Sequence, residues 1–315
     1  SRDGGTSEAD CCEVQGRSQC ASAAPWRALC TCGIGYLDRI QECNNADLGR
    51  FRPWLAGGQV VGHLRTDRFE TLRAHPAFAV VEGRLQIRGA DFRSRSEAMA
   101  QMFADLVAAG TCRHRRELYA VARGFAEPAL LQVDRGAVPY FGVRPYGVHL
   151  TGYVRKHGRV HAWVAVRARN KPTYPGMWDN TVAGGQPIGL SLRDNLIKEC
   201  AEEAGIPAAL AQQAIQASTI TYLREDDAGL KPDTLFCFDL ELPHDFVPQP
   251  VDGEVEQFVL LPIEEVAAVV RDTQRCKPNC NLVWIDFFLR HGILDREVAP
   301  AMRTRLHDAL QVSLP

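Results

Sequence analysis

The chain has 315 residues and a formal net charge of −2; 46% of it is hydrophobic and 23% charged. That length suits two domains and that composition an ordinary globular chain. The near-neutral balance excludes a broad electrostatic footprint for nucleic acid or an anionic membrane, and leaves room for a local basic pocket holding one phosphorylated ligand.

Residues 1–33 are rich in Ser, Ala, Gly, Cys and charge and show no apolar period, which predicts a flexible tail. They lack the apolar core of a signal peptide, and Asp3, Glu8, Asp10 and Glu13 make them too acidic for a transit peptide, so a cytoplasmic protein is expected. Cys11, Cys12, Cys20, Cys30 and Cys32 have poor ligand spacings for zinc and no histidine nearby; they read as incidental thiols.

A small α+β domain is expected over 34–143. A short helix runs from Tyr36 to Cys43, and Arg52-Pro53-Trp54 and Gly57-Gly58 then punctuate the chain. Strands are expected at 59–64, 78–81 and 85–88, with a helix at 69–73 and a turn at Glu82-Gly83. Residues 94–109 form an amphipathic helix with Ala98, Met102, Phe103, Leu106 and Val107 on one face. Residues 117–123 and 130–142 read as strands.

The second domain is expected over 144–315. Strands at 147–155 and 160–168 flank a turn at Lys156-His157-Gly158. A short strand reaches Val182, a helix covers 191–204, strands follow at 218–224, 233–242 and 256–261, and helices at 263–272, 281–291 and 296–310 end the chain. Strands mixed with helices in this order predict a mixed sheet covered by helices. Cys276 and Cys280 stand one helical turn apart, but Pro278 between them argues against a regular helix there.

The chemistry concentrates after Gly184-Gly185. Ser191 is a natural helix N-cap with Asp194 as its capping-box partner, and Gly205 then Pro207 end the helix. Leu192, Leu196, Cys200 and Ala204 form a buried face. Glu199, Glu202 and Glu203, at i, i+3 and i+4, share another. Like charges so spaced repel unless a hard divalent cation compensates. Alone, the triplet reads as a solvated acidic face; its surroundings reverse that reading.

Gly184, Glu199, Cys200, Glu202, Glu203, Gly205 and Ile206 fall at the spacing of Gly-x5-Glu-x7-Arg-Glu-U-x-Glu-Glu-x-Gly-U, with U aliphatic, so the segment resembles the Nudix box. Leu190 stands where the family has Glu, and Lys198 where it has Arg. The runs 146–153, 171–176, 179–180 and 197–199 look like the Nudix subfamily related to thiamine pyrophosphokinase-associated proteins, in which a domain of unknown role precedes the Nudix domain. The resemblance covers roughly 50–290 and is firmest over 146–206.

The resemblance implies an α+β protein with a Nudix α/β/α sandwich and a mixed sheet after the small domain. It implies a metal-dependent pyrophosphohydrolase cleaving a small organic diphosphate, with thiamine diphosphate or its oxidised analogues, cut to the monophosphate, as the candidate substrate. Glu199, Glu202 and Glu203 would hold Mg²⁺, with Mn²⁺ as an alternative; Glu202 and Glu203 join the catalytic set. A base from outside the box is expected at Glu254 or Glu256, a segment that also reads as an exposed acidic turn. Arg167, Arg169 and Lys171 face the phosphates, Tyr174 and Trp178 stack on a ring, and Gly184 and Gly185 line the substrate; each of these side chains has a plainer reading as surface charge or core. His149 reads as structural. Leu190 is expected to pack against apolar neighbours as a hydrophobic loop anchor, and Lys198 to find Asp194 or Glu202. Partners are a small-molecule diphosphate, no nucleic acid and no membrane, with a homodimer allowed. There is no Walker A loop, no dinucleotide-binding fingerprint and no nucleophile elbow. The rivals are a hydrolase of nucleoside diphosphate derivatives and a non-catalytic Nudix-fold binding module.

Overall fold

The computed structural model describes residues 35–294, together with Pro300 and Leu306. The tail at 1–33, its cysteines and nearly all of the helix expected at 296–310 lie outside the described residues.

The N-terminal part is built on a four-stranded sheet. Strands β1 (Phe51–Ala56) and β2 (Gln59–Arg65) form a hairpin, and β3 (Phe78–Val81) and β4 (Arg84–Ile87) complete the order β2-β1-β4-β3. Strand β1 was hidden in the sequence by its own punctuation. Pro53 has no ladder donor, yet it lies where β1 pairs only with β2, because β4 joins at Trp54 and Leu55. Gly57-Gly58 is the two-residue hairpin turn, both with positive φ, which matches the twist of the flanking strands. A short helix α2 (Phe69–Arg73) precedes β3.

Helix α3 (Phe92–Ala108) is capped by Asp91 and buries Met99, Met102, Phe103 and Leu106. It lies on the hairpin β5 (Leu118–Val121) and β6 (Leu131–Asp134). The strand expected over 130–142 stops at Asp134. Its side chain accepts from Gly136 N–H, the chain turns, and Val138–Phe141 forms a helical turn, α4. Trp54, Phe78 and Phe141 meet in the core of this part.

The second sheet is mixed. Strands β7 (Tyr146–Lys156), β8 (Arg159–Arg167), β11 (Ile215–Thr221), β14 (Thr234–Glu241) and β15 (Val255–Pro262) run in the order β11-β14-β7-β8-β15. β14 pairs parallel with β7, in register from Thr234 opposite Tyr146 to Glu241 opposite Tyr153; its other partner, β11, and the pairs β7–β8 and β8–β15 are antiparallel. Two short strands add to it: β9 (Trp178–Asp179) on β8 and β10 (Val182–Gly185) on β7. Helix α5 (Leu192–Ala204), followed by the turn α6 (Ala208–Ala211), covers one face. Its Leu196, Cys200 and Ala204 pack on Val148, Leu150, Phe236 and Phe238.

The other face is covered by α7 (Ile263–Asp272) and α8 (Pro278–Arg290), which gives a helix–sheet–helix sandwich. Pro278 does not break α8 but opens it, at the position where a missing N–H costs nothing. The first helix, α1 (Tyr36–Glu42), also belongs here by its contacts. Tyr36 Oη donates to Ala267 O at 3.0 Å, and the buried Arg39 donates through Nε to Val270 O at 3.0 Å. A helix expected in the N-terminal domain thus packs in the second core, because its apolar residues face α7 and α8. A small hairpin, β12 (Arg224–Asp226) and β13 (Gly229–Lys231), reaches back; Leu230 packs on Phe51, and Arg68 donates to Tyr140 O and Ala228 O. No described helix is long and apolar enough to cross a membrane.

Candidate active site

The site is built on β10 and α5. Strand β10 pairs with β7 from Val182 opposite Leu150 to Gly185 opposite Gly147. The chain then loops into α5, where Ser191 Oγ accepts from Asp194 N–H at 3.1 Å and donates to Asp194 Oδ2 at 2.6 Å. Helix α5 ends at Gly205 in the left-handed region, with Ile206 N–H donating to Cys200 O at 2.9 Å. Two buried amides hold the loop between. Gln186 Nε2 donates to Leu190 O at 2.8 Å, and Asn195 Nδ2 donates to Gly185 O at 2.8 Å.

Those amides explain why Leu190 is not the apolar anchor expected. It is 39% exposed at the mouth of a shallow cleft shared with Phe125, Pro187 and Ile188. The loop is pinned through backbone carbonyls, so the side chain at 190 is free of that task.

Glu199 and Glu203 are both buried. The Glu203 carboxylate accepts from Ala183 N–H at 2.9 Å, and the Glu199 carboxylate lies flat against Gly184, where a Cβ would overlap it. Burial raises the Glu199 carboxyl above its usual range, and raises Glu203 much further. Two desolvated carboxylates one turn apart on α5, both set against β10, are short of positive charge, and oxygen ligands of this kind suit a hard divalent cation. Glu202 is exposed and turns to Lys198, whose Nζ donates to it at 2.7 Å and to Glu199 at 3.1 Å. Asp194 is committed to the cap, so Lys198 takes the two glutamates instead.

Glu254 stands on the loop before β15, where its backbone carbonyl accepts from Ala168 N–H at 2.9 Å. Its charge is felt by Glu203, and Lys171 Nζ holds it at 2.6 Å. Burial opposes its ionisation, but the Lys171 ammonium outweighs burial and keeps Glu254 below the usual carboxylate range. Glu256 stands on the outer rim, paired with the exposed Arg169 at 3.4 Å. The structure therefore separates two acids that the sequence left equivalent. A bulge between Val255 and Gln257 sets them apart.

The basic and aromatic residues divide in the same way. Arg167 is occupied by its own loop: it donates to Asp179 Oδ2 at 2.7 Å, to Tyr174 O at 3.1 Å and to Thr173 O at 3.0 Å. Trp178 is 2% exposed in the second core with the Arg275 guanidinium over its ring, which closes it to a stacking ligand. Tyr174 is half-buried, and its hydroxyl accepts from Arg224 Nη1 at 3.1 Å.

Among the described residues, His149, Asp179 and Cys280 place potential ligand atoms within 4.8 Å of one another. Their partners make them a structural network. Asp179 receives Arg167, Lys277 at 3.4 Å and the Cys280 thiol at 2.6 Å, while His149 Nδ1 pairs with Asn180 Oδ1 at 2.8 Å. Burial lowers His149 to about 4, so it is neutral at physiological pH. Burial works against ionising Asp179, yet Lys277 and Arg167 hold it below the usual range. Lys277 was not singled out in the sequence, where a lone lysine before a proline carries no signal.

Comparison with known proteins gives the family. Residues 35–145 match the family described as a domain of unknown function, DUF4743. Nudix hydrolase 20, chloroplastic, of Arabidopsis thaliana is 42% identical over 278 residues, covering 84% of this chain and 74% of that protein. This chain belongs to the Nudix hydrolase family. It is accordingly a hydrolase acting on phosphoric anhydride bonds. Nudix hydrolase 24, chloroplastic, from the same plant is 40% identical over 271 residues, covering 84% of this chain and 74% of that protein. Of solved structures, a C. elegans Ap4A hydrolase binary complex is similar over 48% of this chain and 99% of its own, at TM-score 0.36 and 16% identity.

Lys198 is a Nudix-box departure that can be tested directly. Its side chain is itself 40% exposed and its pair with Glu202 lies at the surface, where such pairs contribute about 0–1 kcal/mol; only the Glu199 end of the other pair is buried. Lys198→Ala should therefore leave the melting temperature nearly unchanged and lower kcat by less than about tenfold. A loss as large as that from Glu203→Gln would place Lys198 in the catalytic apparatus.

Proposed function

We propose that the chain is a Mg²⁺-dependent pyrophosphohydrolase, with Glu199, Glu202 and Glu203 as metal ligands, directly or through water, and Glu254 as the acid–base residue. The observation that carries this reading is the pair Glu199 and Glu203, buried against the backbone of Ala183 and Gly184, where the Lys198 ammonium, shared with Glu202, reaches Glu199 alone of the two. A divalent cation bound there supplies charge neutralisation for the diphosphate oxygens and acidifies a water. Glu254 is ionised at neutral pH, held so by Lys171, and can accept the proton that such a water gives up. Lys171 orients it. Arg167 and Lys277 are both paired with the buried Asp179.

For the substrate we propose a small organic diphosphate, thiamine diphosphate or an oxidised analogue cut to the monophosphate and phosphate. This finer reading is supported by the motif runs over 146–206 and by nothing in the geometry of the box, which reads the diphosphate and not its substituent. We also propose a cytoplasmic location; the two plant relatives carry the word chloroplastic in their names, and fractionation of cells making the full-length protein decides between them.

The test is turnover of a panel of diphosphates with product identification, run with Mg²⁺, with Mn²⁺ and with excess chelator. Thiamine diphosphate analogues should give the highest kcat/KM, releasing monophosphate and phosphate, and chelator should abolish release. Higher kcat/KM for dinucleotides or nucleotide sugars overturns the substrate and spares the mechanism. Turnover in chelator overturns the mechanism.

A further inference from the structure

The N-terminal part of the chain, matched by a family of undescribed role, reaches into the active site. Ile188 N–H donates to Leu118 O at 2.8 Å, so β5 runs alongside the loop after Gly185. The next residue, Tyr119, is buried, and its hydroxyl lies so close to Gly185 that a Cβ there would overlap it. Beyond the Leu118–Asp134 pair, at the open end of the β5–β6 hairpin, stand Glu117 and Arg135. Arg135 N–H donates to Glu117 O at 2.8 Å, and its Nη1 to Glu117 Oε2 at 2.9 Å. The guanidinium carbon is 5.9 Å from the centre of the Tyr119 ring. From there the charge of Arg135 acts on Glu254 and Asp233, and that of Glu117 on Glu199.

This hairpin end is held in place. Asp134 collects the N–H groups of Arg115, Arg116 and Gly136 at 2.9, 3.1 and 2.7 Å. Arg135 is therefore fixed in position before any ligand arrives.

The other cations around the site are committed to carboxylates. Arg167 and Lys277 serve Asp179, Lys171 serves Glu254, and Lys198 serves Glu199 and Glu202. The side chain of Arg135 is 52% exposed, and a guanidinium carries more N–H donors than a single carboxylate contact uses.

We infer that the N-terminal part is a working wall of the active site, in which Arg135 is a substrate-binding residue that takes a phosphoryl group of the diphosphate through its planar fork. Glu117 and Tyr119 orient it. The inference rests on the diphosphate reading above, and the experiment separates the two.

The full chain is titrated calorimetrically with methylenediphosphonate, a non-hydrolysable diphosphate, at saturating Mg²⁺. The parent is compared with Arg135→Met, Arg135→Lys and, as a remote control, Arg155→Met, whose side chain pairs with Glu241 at the far end of β7. Loss of a charged hydrogen bond to phosphate should weaken Kd by at least about tenfold in Arg135→Met. Arg135→Lys, which keeps the charge and loses the fork, should weaken it several-fold, and it decides the matter should Arg135→Met fail to fold. Arg155→Met should bind as the parent does. Parent-like binding in the Arg135 variants, with hydrolysis intact, overturns this inference and leaves the function standing. An equal loss in Arg155→Met also overturns it, as a general electrostatic effect. A parent that does not bind the probe overturns the diphosphate reading itself.

Discussion

Replacing Glu203 by Gln should lower kcat by on the order of 10³-fold while the fold survives. A metal ion in such a site supplies several kcal/mol of transition-state charge stabilisation, and each ~1.4 kcal/mol is a factor of ten in rate. Gln keeps the volume and can still accept from Ala183 N–H, so the 2.9 Å bond that seats this side chain is retained. Glu202→Gln should cost less, because that carboxylate is exposed and shared with Lys198. The metal-free protein offers a second readout. Burial raises the Glu199 and Glu203 carboxyls above the unfolded value of about 4.3. The native state then binds protons more tightly than the unfolded one, so stability is fully present below that pH and is lost as pH rises through the folded values. In excess chelator the melting temperature should fall as pH rises above the unfolded carboxyl value of about 4.3, less steeply in Glu203→Gln, and saturating Mg²⁺ should restore most at the alkaline end. Full activity in Glu203→Gln, or a chelated melting curve independent of pH, would remove the metal-ligand assignment.

The second large effect is expected at Gly184. It sits in the β10–β7 ladder opposite Val148, with the Glu199 carboxylate lying on its α-carbon. An added methyl must displace that carboxylate, because both strand and helix are anchored: β10 by its ladder to β7, α5 by its cap and by Asn195 on Gly185 O. Overpacking of this kind costs about 1–3 kcal/mol of stability. Misplacing a reacting group by about 1 Å costs on the order of 10²-fold in rate, so Gly184→Ala should lose activity at least on that scale. Kinetics and thermal melts on the one variant check both. Parent-like kcat in Gly184→Ala would mean that Glu199 does not need its position, and so does not hold the metal.

How far the sequence could be read depended on whether the signal was local. Helix α5 was legible because its cap, apolar period, glutamate spacing and terminal glycine lie within one segment, and each agrees with the others. Strand β1 was not, because Pro53 and Gly57-Gly58 are breakers in general and fit here only through the particular partners at each position. The contrast between Glu254 and Glu256 needed the bulge in β15, and the burial of Trp178 needed α8 and the loop that precedes it. Leu190 was read from the residue it replaces; the loop is pinned by Gln186 and Asn195, whose amides bond to backbone and leave no pattern in sequence. Tyr119 and Arg135 were out of reach altogether. Nothing near them suggests catalysis, and only the fold brings their hairpin beside the box.

The docking of α1 on α7 and α8 has a consequence for how the chain comes to be folded. Tyr36 and Arg39 each bond to a partner 231 residues later, so this helix has no surface to bury itself on until α7 has been made. Local segments condense early in synthesis, whereas contacts of such separation must wait and are slow to close. The emerging chain therefore carries the apolar face of α1 uncovered until α7 and α8 leave the ribosome and bury it. A fragment ending before α7 should leave Tyr36 and Ile40 uncovered and be prone to aggregate, even though the four-stranded sheet has its own core.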